Sequence, residues 1–181
     1  MNIFKLSLIT LLACITISCS TDSNFDEDEN LLLANANAEL IGTWTGIDVS
    51  YTGTITTQTG GVTTVQNIEG TNFSGTYTIT FTQDPNVVTG EGLYSISQET
   101  STSDDESSTQ TITNLNLINS FTNWNLVDNE LTMEASGKTT IADITELTTN
   151  TLVLTINENI TSTINEVTET VEKSSVFSFT R

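Results

Sequence analysis

The strongest constraint on the fold is a strict alternation of apolar and polar residues between Phe73 and Thr82. Successive side chains of a β-strand point to opposite faces, so one face of this segment carries Phe73, Gly75, Tyr77, Ile79 and Phe81. The other face carries only Ser and Thr. The pattern therefore predicts a strand of an antiparallel sheet that is buried on one side and wet on the other.

The same period of two recurs along the chain after Thr43, where Thr, Ile and Val are frequent and favour strands. Turn signals separate these segments at Gly60-Gly61, Asp84-Pro85-Asn86, Gly90 to Gly92 and Asp128-Asn129. The Ser, Thr and acidic residues from Gln98 to Gln110 predict a loop. We count about eight to ten candidate strands and no apolar period of 3.6 residues, which excludes βαβ units. The spacing fits an all-β, antiparallel up-and-down barrel or a sandwich.

Three regions follow one another along the chain. Residues 1–18 have one Lys and then an apolar run from Leu6 to Ile17, as in a secretory signal peptide. At about 12 residues, the run is shorter than the roughly 20 that a membrane-spanning helix needs. Residues 19–38 are polar and acidic and predict a solvated tether with a short helical turn at its end. Residues 39–181 form the barrel domain.

Both cysteines of the chain lie at the end of the leader, so the domain has no disulfide framework. Thr16-Ile17-Ser18-Cys19 resembles a bacterial lipobox and is followed at once by polar residues. Leu11-Leu12-Ala13-Cys14 matches the usual lipobox letters better, but cleavage there would leave Ile15 and Ile17 on the mature end. We expect Cys19 as the lipid attachment site, with diacylglycerol and an acyl chain anchoring the protein to a membrane.

The acidic residues that follow Cys19 in the sequence also suggest a cellular location. Ser and acidic residues at this place resemble the export signal of surface lipoproteins in some Gram-negative bacteria. The resemblance implies an anchor in the bacterial outer membrane, on its periplasmic or cell-surface side.

Composition excludes several functions. The chain has no His, which removes Ser-His-Asp and Cys-His nucleophilic sites and His-ligated metals. The chain has four Lys and Arg residues and 23 Asp and Glu residues, which give a net charge of -19. This composition excludes a nucleic-acid partner, because binding to phosphates needs clustered Lys and Arg. The spacing of the acidic residues supports neither the carboxylate pair of a glycosidase nor a calcium-binding loop. It predicts a solvated surface. We therefore expect no catalytic residues, no metal and no cofactor.

Several short motifs, in order, resemble bacterial lipocalin-like lipoproteins. They are Glu39-Leu40-Ile41-Gly42-Thr43-Trp44, the hairpin from Trp124 to Met133, the segment from Leu147 to Leu154, and Phe177-Ser178-Phe179-Thr180-Arg181. The resemblance implies a lipocalin-like barrel whose closure involves Gly42, Trp44 and Arg181, with the Arg packed on the Trp. In a regular strand, Trp44 would lie on the face opposite to Ile47, Val49 and Tyr51. This closure therefore needs a β-bulge near Thr45-Gly46, which would bring them to the same face.

The interior of such a barrel is the remaining candidate site. Barrels of this size either fill their interior with side chains or hold one small ligand, and the sequence leaves both open. The inward candidates are Tyr77, Ile79, Phe81, Tyr94, Ile96, Trp124, Phe177 and Phe179. We expect a small hydrophobic ligand and no catalysis. The alternative is an adhesion or assembly module that contacts glycan or protein through its Thr-rich exterior.

Overall fold

The structure is a computed structural model that describes residues 38–102, 106–117, 122–135 and 137–181. The predicted signal peptide, both cysteines and the predicted tether up to residue 37 lie outside the described residues. Residues 38–40 form a helical turn, and nine strands follow: β1 Gly42–Thr59, β2 Val62–Thr82, β3 Val87–Thr102, β4 Ser107–Leu115, β5 Thr122–Val127, β6 Glu130–Ala135, β7 Lys138–Leu147, β8 Thr151–Ile164 and β9 Val167–Thr180. In the described part, no helix is long and apolar enough to cross a membrane.

The nine strands form a single antiparallel sheet that closes in a ring. Each strand pairs with the next one along the chain except at β4, and β1 pairs with β9. At β3, one edge is shared by two partners. β5 pairs with Val87 and Val88, whereas β4 pairs with the stretch from Tyr94 to Ser101. The all-β antiparallel prediction is confirmed, with a strand count inside the expected range.

The two ends of the ring differ. At the closed end, where β1 begins at Gly42 and β9 ends at Thr180, eight strands form the ring, because β4 pairs only with β3. At the open end, which carries the β1–β2 turn at Gly60-Gly61, the long strands continue past their shorter neighbours. For example, β8 pairs with β7 as far as Thr155 but with β9 as far as Ile164.

Apolar side chains fill the ring at the closed end. Trp44, Phe81 and Phe179 have no exposed surface, and they belong to one core cluster with residues from every strand of the ring. Ile47 is the extra residue of a β-bulge, since the β1–β9 register shifts between Gly46 and Asp48. Ile47 is 54% exposed, which leaves Trp44 and Val49 on the same inner face.

Two local predictions are wrong. Gly90 to Gly92 is not a turn but lies within the first half of β3, where Gly90 pairs with Ile79 and Gly92 with Tyr77. Most of the predicted Gln98–Gln110 loop is also strand, since β3 runs to Thr102 and β4 starts at Ser107. Both errors have one cause: the pairing partner supplies the backbone hydrogen bonds, so glycine and polar residues extend strands that their local propensity disfavours.

Candidate functional site

A cavity of about 450 Å³ lies above the packed core, towards the open end of the ring. Its wall includes residues of β1, β2, β3, β4, β7, β8 and β9. Eleven of the 18 lining residues are apolar or aromatic: Val49, Tyr51, Ile55, Ile68, Tyr94, Ile112, Leu115, Leu117, Ile156, Val171 and Phe177. The remaining lining residues are Gln98, Asn116, Lys138, Thr140, Glu158, Lys173 and Ser175. The volume falls in the range of small-molecule sites, which is roughly 300–1,000 Å³.

One wall of the cavity is a row of side chains that crosses three strands. Tyr51 of β1 pairs with Gly70 of β2, and Gly70 pairs with Gln98 of β3. The Tyr51 ring lies across Gly70, where any Cβ would clash with it. The Tyr51 hydroxyl therefore reaches Gln98 and donates a hydrogen bond of 2.6 Å to its Oε1. A glycine at position 70 is thus what allows the aromatic side chain to form this wall.

The charged groups of the wall lie on the β8–β9 hairpin and at the start of β7. Lys173 and Glu158 face each other across the hairpin, with 2.9 Å between Nζ and Oε2. The Lys173 ammonium is also 5.4 Å from the centroid of the Tyr51 ring, within the range of a cation–π contact. Lys138 is exposed at the rim. Two of the four basic residues in the chain therefore line this cavity.

The tyrosines of the cavity are neutral hydrogen-bond donors at physiological pH. Burial raises the pKa of Tyr94 to about 12, and Tyr51 and the Glu158 carboxylate act in the same direction. Burial also raises the pKa of Tyr51. In the described part of the chain, no group of three or more His, Cys, Asp or Glu residues is placed to hold a metal ion.

The closed end holds the second cluster. The Arg181 guanidinium lies over Trp44, with 3.8 Å between Cζ and the ring centroid. Arg181 also donates a hydrogen bond to the carbonyl of Glu39, and the Trp44 indole donates one of 2.8 Å to the carbonyl of Leu40. Gly42 has a positive φ of 127°, and a Cβ there would lie 3.6 Å from Arg181 Nη1. The helical turn, the first strand and the last strand thus meet around one indole.

The inward candidates from the sequence are all buried. Two of them, Tyr94 and Phe177, line the cavity, whereas the others pack below it. Tyr77 contacts Tyr94 and Phe179, with ring centroids 5.2 and 5.5 Å apart. Phe81 and Trp124 form a T-shaped pair with centroids 5.8 Å apart. The interior is therefore filled at the closed end and hollow towards the open end.

The polar wall residues Tyr51, Gln98, Glu158 and Lys173 were missed as site residues in the sequence. A signal for three of them exists. Counting by twos from Phe177 along β9 places Lys173 on the inner face, and counting from Ile156 along β8 places Glu158 there. The same count from Tyr94 and Ile96 along β3 places Gln98 on the inner face, but its approach to Tyr51 depends on the long-range register of β1, β2 and β3.

Comparison with protein-family models, with curated proteins and with solved structures finds no match to this chain.

Proposed function

We propose that this protein is a lipid-anchored envelope lipoprotein with a lipocalin-like barrel that binds one small hydrophobic ligand without catalysing a reaction. The observation that carries the proposal is the 450 Å³ cavity above a filled core, with a wall that combines apolar and aromatic residues with polar and charged ones. Apolar ligand surface gains about 25 cal/mol for each Å² that leaves water, so the apolar residues of the wall stabilise a bound hydrophobic group. Anchoring at Cys19 in the outer membrane remains part of the proposal.

The end of the ring at which the chain enters the domain is compatible with an anchor at Cys19. Residues 38–40 lie beside Trp44 and Arg181 at the closed end, and the cavity lies towards the opposite end. A tether from Cys19 would therefore join the domain at the end away from the cavity. Ligand exchange at the open end then requires no passage through the Trp44 and Arg181 cluster.

Photolabelling of the full lipoprotein in lipid nanodiscs tests the proposal. The probe is a dodecanol analogue with a diazirine in its alkyl chain, which is neutral and marks the residues that it touches. We expect label on cavity residues such as Ile68, Leu115 and Phe177, and competition by excess unlabelled dodecanol. Label that is spread over the surface and resists competition would contradict ligand binding.

Two adjacent serines of β9 provide a matched pair of variants. Ser175 is 3% exposed and lines the cavity, whereas Ser174 lies on the outer face of the same strand. Ser175→Trp should occupy part of the cavity and strongly reduce the competed label. Ser174→Trp adds the same side chain outside and should leave the label unchanged. Equal labelling of the two variants would place the probe outside the cavity.

A second function, assembly with a protein partner, is favoured by one observation. In the described part, β8 beyond Thr155 has no strand on its outer edge, and Ile160 and Ile164 there are 52% and 68% exposed. Open strand edges can accept an added strand from another chain. The Thr-rich exterior supports this alternative less, because the Thr161–Thr170 and Thr163–Thr168 hydroxyls already bond to each other at 3.0 Å.

A further inference from the structure

We propose that the ligand of the cavity is an amphiphile with an anionic head group, a carboxylate or a phosphate ester, held between Lys138 and Lys173. This inference rests on the proposed function, because it names the class of ligand for the same cavity. The alkyl chain would lie against the apolar wall, and the head group would lie where the two lysines line the cavity.

The distribution of charge is the first argument. The chain has four basic residues and 23 acidic ones, so a surface with the average composition of this protein would carry a net negative charge. The cavity instead is lined by Lys138, Lys173 and a single carboxylate, that of Glu158. The wall therefore carries a net positive charge on a protein whose overall charge is -19. The third basic residue of the domain, Arg181, is at the closed end on Trp44.

The partners of the two lysines give the second argument. Lys173 is paired with Glu158, and its ammonium is also near the Tyr51 ring. No carboxylate of the described residues forms an ion pair with Lys138. Within the described residues, one positive charge beside the cavity thus has no ion-pair partner. A cation in this position favours a ligand with an anionic end over an alcohol or an amine of equal length.

The wall also carries a band of polar and charged side chains. Lys173 and Glu158 pair across the hairpin, and Tyr51 and Gln98 lie within the same band of the wall. Below that band, Val49 and Phe177 are apolar and buried. A ligand that matches both parts must be apolar at one end and polar at the other, which is the definition of an amphiphile.

Competition in the photolabelling experiment tests the head group. The full lipoprotein in nanodiscs is labelled with the neutral dodecanol probe in the presence of dodecanol, dodecanoate, dodecyl phosphate or dodecylamine. One or both anions should compete at about tenfold lower concentration than dodecanol, as expected for a charge-assisted hydrogen bond. The better of the two anions identifies the source as carboxylate or phosphate. Equal competition by alcohol and anions, or best competition by the amine, overturns the proposal.

Variants assign the effect to the lysines. Lys138→Gln and Lys173→Gln should each reduce the preference for the anion, and Glu158→Gln should increase it. Ser174→Glu is the control, because it changes the net charge as much as Lys173→Gln but on the outer face of the same strand. It should leave the preference unchanged. A preference that survives in both lysine variants, or that Ser174→Glu abolishes, also overturns the proposal.

The failure of this inference is distinct from the failure of ligand binding. If the neutral probe labels the cavity and Ser175→Trp strongly reduces the label, a hydrophobic ligand is supported whatever the head group. If that label is absent, the proposed function itself is contradicted. Lys138 is exposed, so Lys138→Gln has no packing role to lose, and it remains informative if Lys173→Gln weakens the hairpin.

Discussion

The stack of Arg181 on Trp44 predicts that these two residues stabilise the fold as a pair. An Arg over a Trp contributes about 0.5–1 kcal/mol at an exposed site and about 2 kcal/mol when desolvated. Arg181 is exposed, whereas Trp44 beneath it has no accessible surface. The pair therefore lies between these limits, and we expect a coupling free energy of about 1 kcal/mol.

The single variants measure more than the stack. Trp44→Phe also leaves the Leu40 carbonyl without its indole donor, which costs about 1–3 kcal/mol if that oxygen stays buried. Arg181→Gln also removes the hydrogen bond to the Glu39 carbonyl, a loss of about 0.5–1.5 kcal/mol. Only the double-mutant cycle isolates the coupling from these separate losses.

Urea unfolding of the four proteins in the cycle gives the free energies. Trp124 is the only other Trp of the chain and is kept in every variant, so its fluorescence reports on the same core position throughout. Far-UV circular dichroism at each urea concentration checks that the transition is two-state. A control cycle pairs Trp44→Phe with Lys173→Gln, at the other end of the ring, and should be additive.

The result that refutes the reasoning is additivity within about 0.3–0.5 kcal/mol for Trp44 and Arg181, the range found for independent sites. The two side chains would then contribute separately, and the ring would not depend on their contact. Coupling of similar size in the control cycle would instead show that the variants disturb the whole sheet. In either case the lipocalin-like closure would be withdrawn from the proposed function.

Three further predictions concern the interior and the anchor. The Tyr77 hydroxyl is buried with no hydrogen-bond partner among the described residues, so Tyr77→Phe should raise the free energy of unfolding by about 1 kcal/mol, and a loss in urea unfolding would reveal a partner such as a buried water. Because the pKa of Tyr94 is raised from 10.0 to about 12, its contribution to stability is complete below pH 10 and is lost as the pH rises towards 12. Urea midpoints between pH 9 and 12 should fall, less so for Tyr94→Phe, and a flat profile in the wild type contradicts the shift. Metabolic labelling with an alkyne fatty acid should be lost in Cys19→Ser and kept in Cys14→Ser, and the reverse pattern would move the lipid to Cys14.

In regular strands, the face on which each side chain lies was predictable from the sequence, because no bulge interrupts the alternation of inner and outer residues. From Phe177 to Val167, β9 pairs with β8 without a register shift, so counting by twos places every side chain on its observed face. The same count fails on β1, where the extra residue Ile47 reverses the parity between Trp44 and Val49. The need for a bulge could be inferred from Trp44, but its position depends on the pairing with β9.

Glycines opposite aromatic rings explain the part of the site that was not predicted. Tyr51 covers Gly70 on the neighbouring strand, and Tyr77 lies against Gly46 in the same way. In a linear sequence, a glycine suggests a turn, as Gly90 to Gly92 did. Only the register between strands shows that such a glycine instead lies beneath a tyrosine ring, which occupies the space that a side chain would need. Long-range pairing therefore determines the wall of the cavity, whereas local pattern determines the core.

The size of the inward side chains along the ring explains why the cavity forms where it does. At the closed end, Trp44 lies beside Ile79 and Phe179 lies beside Leu152 on adjacent strands, and these large side chains belong to the one buried cluster that fills the interior. Towards the open end, the small side chain of Ser175 lies on the inner face, whereas the space beside Gly70 is taken by the Tyr51 ring. The strands meanwhile continue at the same spacing, so the ring does not contract to compensate for the lost volume. The small side chain at Ser175 thus contributes to the cavity, and a large side chain at this position would occupy part of it.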